Sequence, residues 1–539
     1  MTHSPHDSEL RAAARHIGRR RFLTATSAAA ALAFATNLPT AQAAEGDPRS
    51  ITRDPFTLGV ASGDPRPGSV VLWTRLAPAL FEPGNGLPDL ALPVSWEVAH
   101  DERFSRIAAR GTTLAHPEFN HSVHVDADQL DADRRYFYRF RTGGWISPVG
   151  RTRTAPATAA DNGSLSFGVV GCQRYDQGHW TAYRHLADED LHAVFHTGDY
   201  QYEYAVNSTA GARAYPAGTL PPILNRETVT LDDYRLRYAL YHSDPDMRAA
   251  HAAHPFIVTW DDHETENNYA GDHSENNDPP EEFLIRRAAA YRAYWENMPL
   301  RAPQQPTGPD MRLYRRLHFG RLAQFDVLDT RQYRSVQAPG PNWQAPHPAS
   351  ADPARTMLGA GQERWLQDGW QRSRALWNVL PQQVVLSERR DQPTPDYLVS
   401  HDSWDGYAAP RERLLAGAEA AGIENLVVLT GDVHVHYGFD IKRDFADPAS
   451  RTVGVELVGT SISSGGNGSD RPANHDRLLA SNPHLRFYTA RRGYLKVTLD
   501  REQARADYRT IPYVNAPGAP LATAASFISP VGNPGLRPA

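Results

Sequence analysis

Leu165-Ser166-Phe167-Gly168-Val169-Val170-Gly171-Cys172-Gln173, followed by Ala193-Val194-Phe195-His196-Thr197-Gly198-Asp199-Tyr200-Gln201-Tyr202, is the stretch that decides the fold. Each apolar run is short, unbroken and closed by a Gly-bearing turn, as in strands buried on both faces of a parallel sheet. Residues 183–188 between them read as helix. A strand, a helix and a second strand argue for an α/β layer fold. Further short apolar runs at 256–260, 322–328, 377–380 and 425–430 continue the pattern. The Pro-rich or Asn-rich segments 203–232, 267–282 and 336–356 read as surface excursions, some of which shape a site.

Upstream the pattern changes. Val70-Val71-Leu72-Trp73, Val94-Ser95-Trp96-Glu97-Val98, Ser122-Val123-His124-Val125 and Tyr136-Phe137-Tyr138-Arg139-Phe140 fit half-buried strands with no helix between them. They predict a small antiparallel β-sandwich over residues 51–155. Residues 130–138 resemble the tyrosine-bearing strand of fibronectin-like modules, in which a Tyr hydrogen-bonds back to the chain. No reactive side chains cluster there, so the module reads as a structural appendage. The Ala-, Thr- and Pro-rich segment 152–164 is the linker candidate, which makes 164–539 the α/β domain.

The 539 residues are 40% hydrophobic and 22% charged, a globular composition that is too long for one core. Fifty-six basic residues against 62 acidic ones give a net charge of −6, without the basic excess of a dedicated nucleic-acid binder. With Cys172 the single cysteine, no intramolecular disulfide can staple the fold. The first 43 residues read as an address: Arg19-Arg20-Arg21-Phe22-Leu23, a weakly apolar run over 28–38, then Ala41-Gln42-Ala43. This order is similar to a twin-arginine signal peptide. It predicts export by the twin-arginine translocase to the periplasm or beyond, of a protein folded with its cofactor already in place. The apolar run is too short to span a bilayer.

The chemistry lies just after the strands, where open α/β sheets carry their sites. Asp199 has two carboxylate oxygens able to bridge cations, and Tyr202, three positions on, brings a phenolate to the same turn. Hard anionic oxygens of this kind suit Fe(III). Cys172 adds a thiolate at another strand end. Asp432 and His434 alternate by two and share a side if the strand continues through them. The run Asp261-Asp262-His263-Glu264 crowds three carboxylates and an imidazole, which predicts a compensating cation.

These residues resemble the alkaline phosphatase D (PhoD) family of the calcineurin-like metallophosphoesterase superfamily. The resemblance runs through Gly59-Val60-Ala61-Ser62-Gly63-Asp64-Pro65, Val71-Leu72-Trp73-Thr74-Arg75-Leu76, the segments at 171 and 198, and residues 260–264 with Glu266-Asn267-Asn268-Tyr269. It continues through 329–333, 362–366, 403–407, 459–466 and Arg492-Gly493-Tyr494. It implies a metallophosphoesterase-type αββα sandwich behind the small β-sandwich. It also implies Fe(III) held by Cys172, Asp199 and Tyr202, Asp199 bridging to Ca²⁺, and Asp262 on the calcium side. Asp432 and His434 match the last metal motif, their division between the two cations left open. Carboxylates in place of imidazole suit calcium, which prefers hard oxygen ligands.

The implied activity is secreted hydrolysis of phosphate mono- and diesters, in line at phosphorus, with phosphate released. By the family pattern His263 assists the leaving oxygen or orients the phosphate, and Asn268 hydrogen-bonds a phosphoryl oxygen. A phospholipase D-type or cell-wall-polymer phosphodiesterase is the alternative within the enzyme class. Of another class is an exported non-catalytic binding protein with a degenerate site, against which the intact donor set argues.

Overall fold

The structure is a computed structural model that describes residues 44–206, 212, 213, 215 and 220–539. The signal-like segment 1–43 lies outside the described residues. Two mixed sheets stack face to face with helices on both outer sides. The first holds the parallel strands Ser164–Val170, Ala193–His196 and Pro255–Val258, extended by antiparallel Arg492–Asp500, Gln503–Ile511 and Ala522–Pro530. The second places Ala323–Val327, Trp377–Pro381, Leu426–Thr430 and Thr452–Val458 in parallel, with antiparallel strands at its edges.

Alternation along the strands builds three apolar layers. Phe167, Val169, Phe195 and Ile257 face Phe325, Val379, Val427 and Leu429 between the sheets. Val170, Val194 and Val258 turn outward under the helices Thr181–Ala187, Leu231–His242, Pro245–Ala253 and Pro280–Asn297. Leu380 and Val428 do the same under Gly359–Arg372 and Ala408–Ala420. Both faces of each central strand are therefore dry, which is why these runs read as continuous rather than alternating apolar sequence. The result is an αββα sandwich.

The N-terminal strands form two layers around their own core, including Val70, Leu72, Val94, Val98, Val125, Tyr136 and Phe140. Tyr136 makes the predicted return bond: its Oη accepts the Asp131 N–H at 2.8 Å. One feature departs from a free-standing module. Val60–Arg66 pairs in parallel with Pro255–Val258, and Ser69–Arg75 and Ser122–Ala127 follow it, so one layer of the sandwich continues the first large sheet. An open edge at Pro255–Val258 would expose unpaired backbone groups, and this continuation removes it. Of the proposed linker, 152 and 153 belong to the strand Gly150–Arg153.

Candidate metal centre

The strands Ser164–Val170, Ala193–His196, Pro255–Val258 and Leu426–Thr430 all deliver their following turns to one end of the sandwich. Close approach there demands glycine. A Cβ at Gly198 (φ 112°) would stand 2.4 Å from the Asp261 backbone, and one at Gly431 would stand 2.5 Å from Thr197 Oγ1. Cys172, Asp199, Asn268, Asp432 and His434 all take left-handed backbone, with φ between 53° and 66°. Asp, Asn and His visit this region with little difficulty, whereas Cys rarely does. Such conformations cluster where surrounding structure forces them, typically at functional sites.

Three donor groups meet, each with its ligand atoms within 4.8 Å of one another: Cys172, Asp199 and His434; Asp199, Asp262 and His263; and Asp261, Asp262 and Asp432. Asp199 joins the first to the second, and Asp262 the second to the third. Cys172, Asp199, Tyr202, Asp262 and His263 are buried, while the His434 side chain is one-third exposed at the mouth. Tyr202 Oη donates to Asp199 Oδ2 at 2.8 Å, accepts from Ser464 Oγ at 2.7 Å and lies 3.1 Å from His434 Nε2. Asp199 Oδ1 is buried without a hydrogen-bond partner, and so is Asp261 Oδ2.

Asp432 and His434 correct the reading from spacing. The strand ends at Thr430, and left-handed backbone at both residues bends the chain. The bend parts the two side chains, sending His434 to Cys172 and Asp199 and Asp432 to Asp261 and Asp262. The acidic run is likewise divided. Glu264 turns back to accept three amides, from Asp199 at 3.1 Å, Tyr200 at 2.6 Å and Asp261 at 2.8 Å. Asp261 pairs with Arg331, whose guanidinium also reaches Asp402 at 2.7 Å, Asp432 at 3.4 Å and Asp262 at 3.6 Å. His263 Nδ1 meets Glu203 Oε2 at 2.8 Å. The Asn268 N–H donates to Asp262 Oδ2 at 2.7 Å, and its side-chain amide points to Glu275 at 3.3 Å.

The electrostatics call for positive charge. Burial, then Asp199 and further carboxylates, push the Cys172 thiol well up, and burial, Asp199 and Cys172 do the same to the Tyr202 phenol. Burial raises Asp432 to about 7 against the pull of Arg331. For Asp262 burial is outweighed by Arg331 and His263, which hold it low. Burial would lower His263, but Glu203 and Asp262 overcome it and raise it well above the ordinary value. Arg331 and His263 are too few for so many buried anions. A thiol, a phenol, an imidazole and partnerless carboxylate oxygens form a donor set that fits cations.

Reading for donors alone passed over Glu203, Arg331, Asp402, Ser464 and Arg492, and it counted Glu264 as one more anion of the acidic run. Arg492 clamps the His434 and Ser464 carbonyls, both at 2.6 Å. Glu264, Arg331, Ser464 and Arg492 stand inside motifs that resemble the family, and that was the available signal; Asp402 directly precedes one, and Glu203 opens the segment read as a surface excursion.

Fold and donor set define an αββα protein whose strand-end turns are built to hold cations. The sequence pattern of PhoD-like phosphatases matches residues 167–508, and that of their N-terminal domain matches residues 40–156. The chain is 49% identical over 483 residues to alkaline phosphatase D of Bacillus subtilis (strain 168), covering 90% of this chain and 82% of that protein. A solved structure of PhoD superposes with a TM-score of 0.87 at 48% identity, covering 91% of this chain and 93% of that one. The chain belongs to the PhoD-like phosphatase family.

Proposed function

We propose that this phosphoric ester hydrolase is an exported alkaline phosphatase and phosphodiesterase that frees phosphate from mono- and diesters. The observation that carries the reading is Asp199, whose buried Oδ1 has no partner at the junction of two donor groups. Cys172, Asp199, Tyr202 and His434 would hold Fe(III), and Asp262 and Asp432 would face Ca²⁺ across the shared Asp199. Bound cations supply Lewis acidity, neutralising charge on phosphoryl oxygens and acidifying the attacking water.

The chain's own residues do the rest. Glu203 fixes the His263 ring through Nδ1 and, against the effect of burial, raises its hold on a proton, while among the described residues Nε2 makes no hydrogen bond. As the bond from phosphorus to the ester oxygen breaks, His263 hands its proton to that oxygen. The Asn268 N–H holds Asp262 in place, and a modest turn of its side chain away from Glu275 would offer the amide to a phosphoryl oxygen. Export through the twin-arginine route suits a site whose donors are buried and loaded on folding. No described helix is long and apolar enough to cross a membrane.

Protein purified without added metal tests the reading by elemental analysis, visible spectrum, and assays on monoester, diester and phospholipid substrates. About one equivalent of iron together with calcium is expected, with a charge-transfer colour lost in Cys172→Ala and Tyr202→Phe. Colourless protein that holds zinc or no metal and gains no activity from iron and calcium would refute it.

A further inference from the structure

The arginines around the candidate centre are nearly all matched. Arg174 pairs with Asp176 at 2.9 Å, Arg334 with Asp402 at 2.6 Å, Arg390 with Glu388 at 2.5 Å and Arg411 with Asp405 at 2.5 Å. Arg389 differs: among the described residues its half-buried guanidinium forms no ion pair. Nη1 donates to Tyr437 Oη at 3.0 Å, and Nε and Nη2 have no acceptor among the described residues. The guanidinium lies over the Trp343 ring at 4.6 Å and the Tyr437 ring at 5.6 Å. Trp343 is 37% exposed, a large indole with one side in water. The Arg389 N–H donates to Asp405 Oδ2 at 3.0 Å, which anchors the backbone.

This group is linked to the cluster through a chain of contacts. Tyr437 lies three residues beyond His434, at the start of the strand His436–Lys442. Trp343 lies on the short strand Trp343–Gln344, paired with Val399–Ser400. Its neighbour Asn342 accepts the Asp402 N–H at 3.0 Å, Asp402 grips Arg331, and Arg331 reaches Asp432. Asp432 is also among the carboxylates whose field acts on Arg389.

We propose that Arg389, flanked by Trp343 and Tyr437, is a subsite for a second anionic group, phosphate or carboxylate, on the leaving portion of the substrate. The proposal rests on the phosphatase reading and deepens it. A planar guanidinium with free N–H groups accepts two oxygens of such a group side by side. Stacking on aromatic rings holds that plane in readiness without supplying a counter-charge. The scissile phosphate would occupy the cation cluster while the second anion rests on the rim.

The test compares n-propyl phosphate with propane-1,3-diol, butane-1,4-diol and hexane-1,6-diol bisphosphates on the cation-loaded protein. The wild type should favour at least one bisphosphate over the monophosphate by about tenfold in kcat/KM. Arg389→Gln should erase that preference, chiefly through KM, and Arg389→Lys should keep part of it. Trp343→Ala, exposed and outside the core, should lower the preference about threefold without endangering the fold. No bisphosphate preference in the wild type, or a preference untouched by Arg389→Gln, overturns the subsite while leaving the phosphatase reading intact. Hydrolysis of none of the four esters removes that reading and the subsite with it.

Discussion

Glu264→Gln isolates how this fold aims its donors. Glu264 is buried, and its two oxygens accept amides from the Asp199 turn and the Asp261 turn at once, at 2.6 to 3.1 Å. Glutamine has the same shape but presents an NH2 group where one oxygen stood, so at least one of the three N–H groups is left facing a donor. A buried donor without a partner costs about 1–3 kcal/mol. Against this, burial and Asp199 raise Glu264 to about 8, so the neutral amide escapes the penalty that its charged form carries above that pH. The orphaned donors outweigh that relief, and a net destabilisation of about 2 kcal/mol is expected in chelated protein. Guanidinium unfolding with and without chelator measures it, and elemental analysis gives the companion readout. Because the hook sets Asp199 and Asp262 relative to one another, cation affinity should fall about tenfold, the equivalent of a further 1.4 kcal/mol. A variant as stable as wild type, with the same cation content, would show that the turns hold themselves and would refute the reasoning.

Two further outcomes follow from the same geometry. His263→Ala should lower kcat by roughly 10² or more with cation content retained, as for loss of a general acid; steady-state kinetics with elemental analysis decide it, and an unaltered kcat removes His263 from the mechanism. In chelator, stability should peak near about pH 6.5 and decline toward pH 8. Below the peak, buried neutral histidines such as His196 and His251, lowered by burial to about 3, take up protons only on unfolding, so stability rises with pH. Above it, Asp432 and Glu266 at about 7 and Glu264 at about 8, each raised first by burial, hold protons that the unfolded chain has released, so stability falls. Saturating calcium and iron should remove the share of the alkaline decline that Asp432 carries; a chelated protein equally stable at pH 6.5 and 8 would contradict this.

The layers were legible in the chain, and so was the placing of donor side chains just after the strands. Short, largely apolar runs such as 165–170 and 426–430, bounded by turns, read as strands covered on both faces, and Gly-bearing turns after them mark where side chains are free to act. Cys172, Asp199, Tyr202 and Asp262 were legible because donor type and position after a strand are local properties. Tertiary structure alone decided which donors meet. Asp432 and His434 look like neighbours on one face, yet left-handed backbone at both sends them to different partners. Glu264 reads as one more anion in an acidic run, yet it serves as a hook for three amides from two turns. Arg331 brings its charge to carboxylates between 69 and 101 positions away, at 261, 262, 402 and 432. The continuation of the N-terminal strands into the large sheet depends likewise on an edge that exists only once Pro255–Val258 is in place. Periodicity and turn chemistry are short-range and therefore written in the chain, whereas the pairing of charges depends on where two sheets abut, which no local pattern encodes.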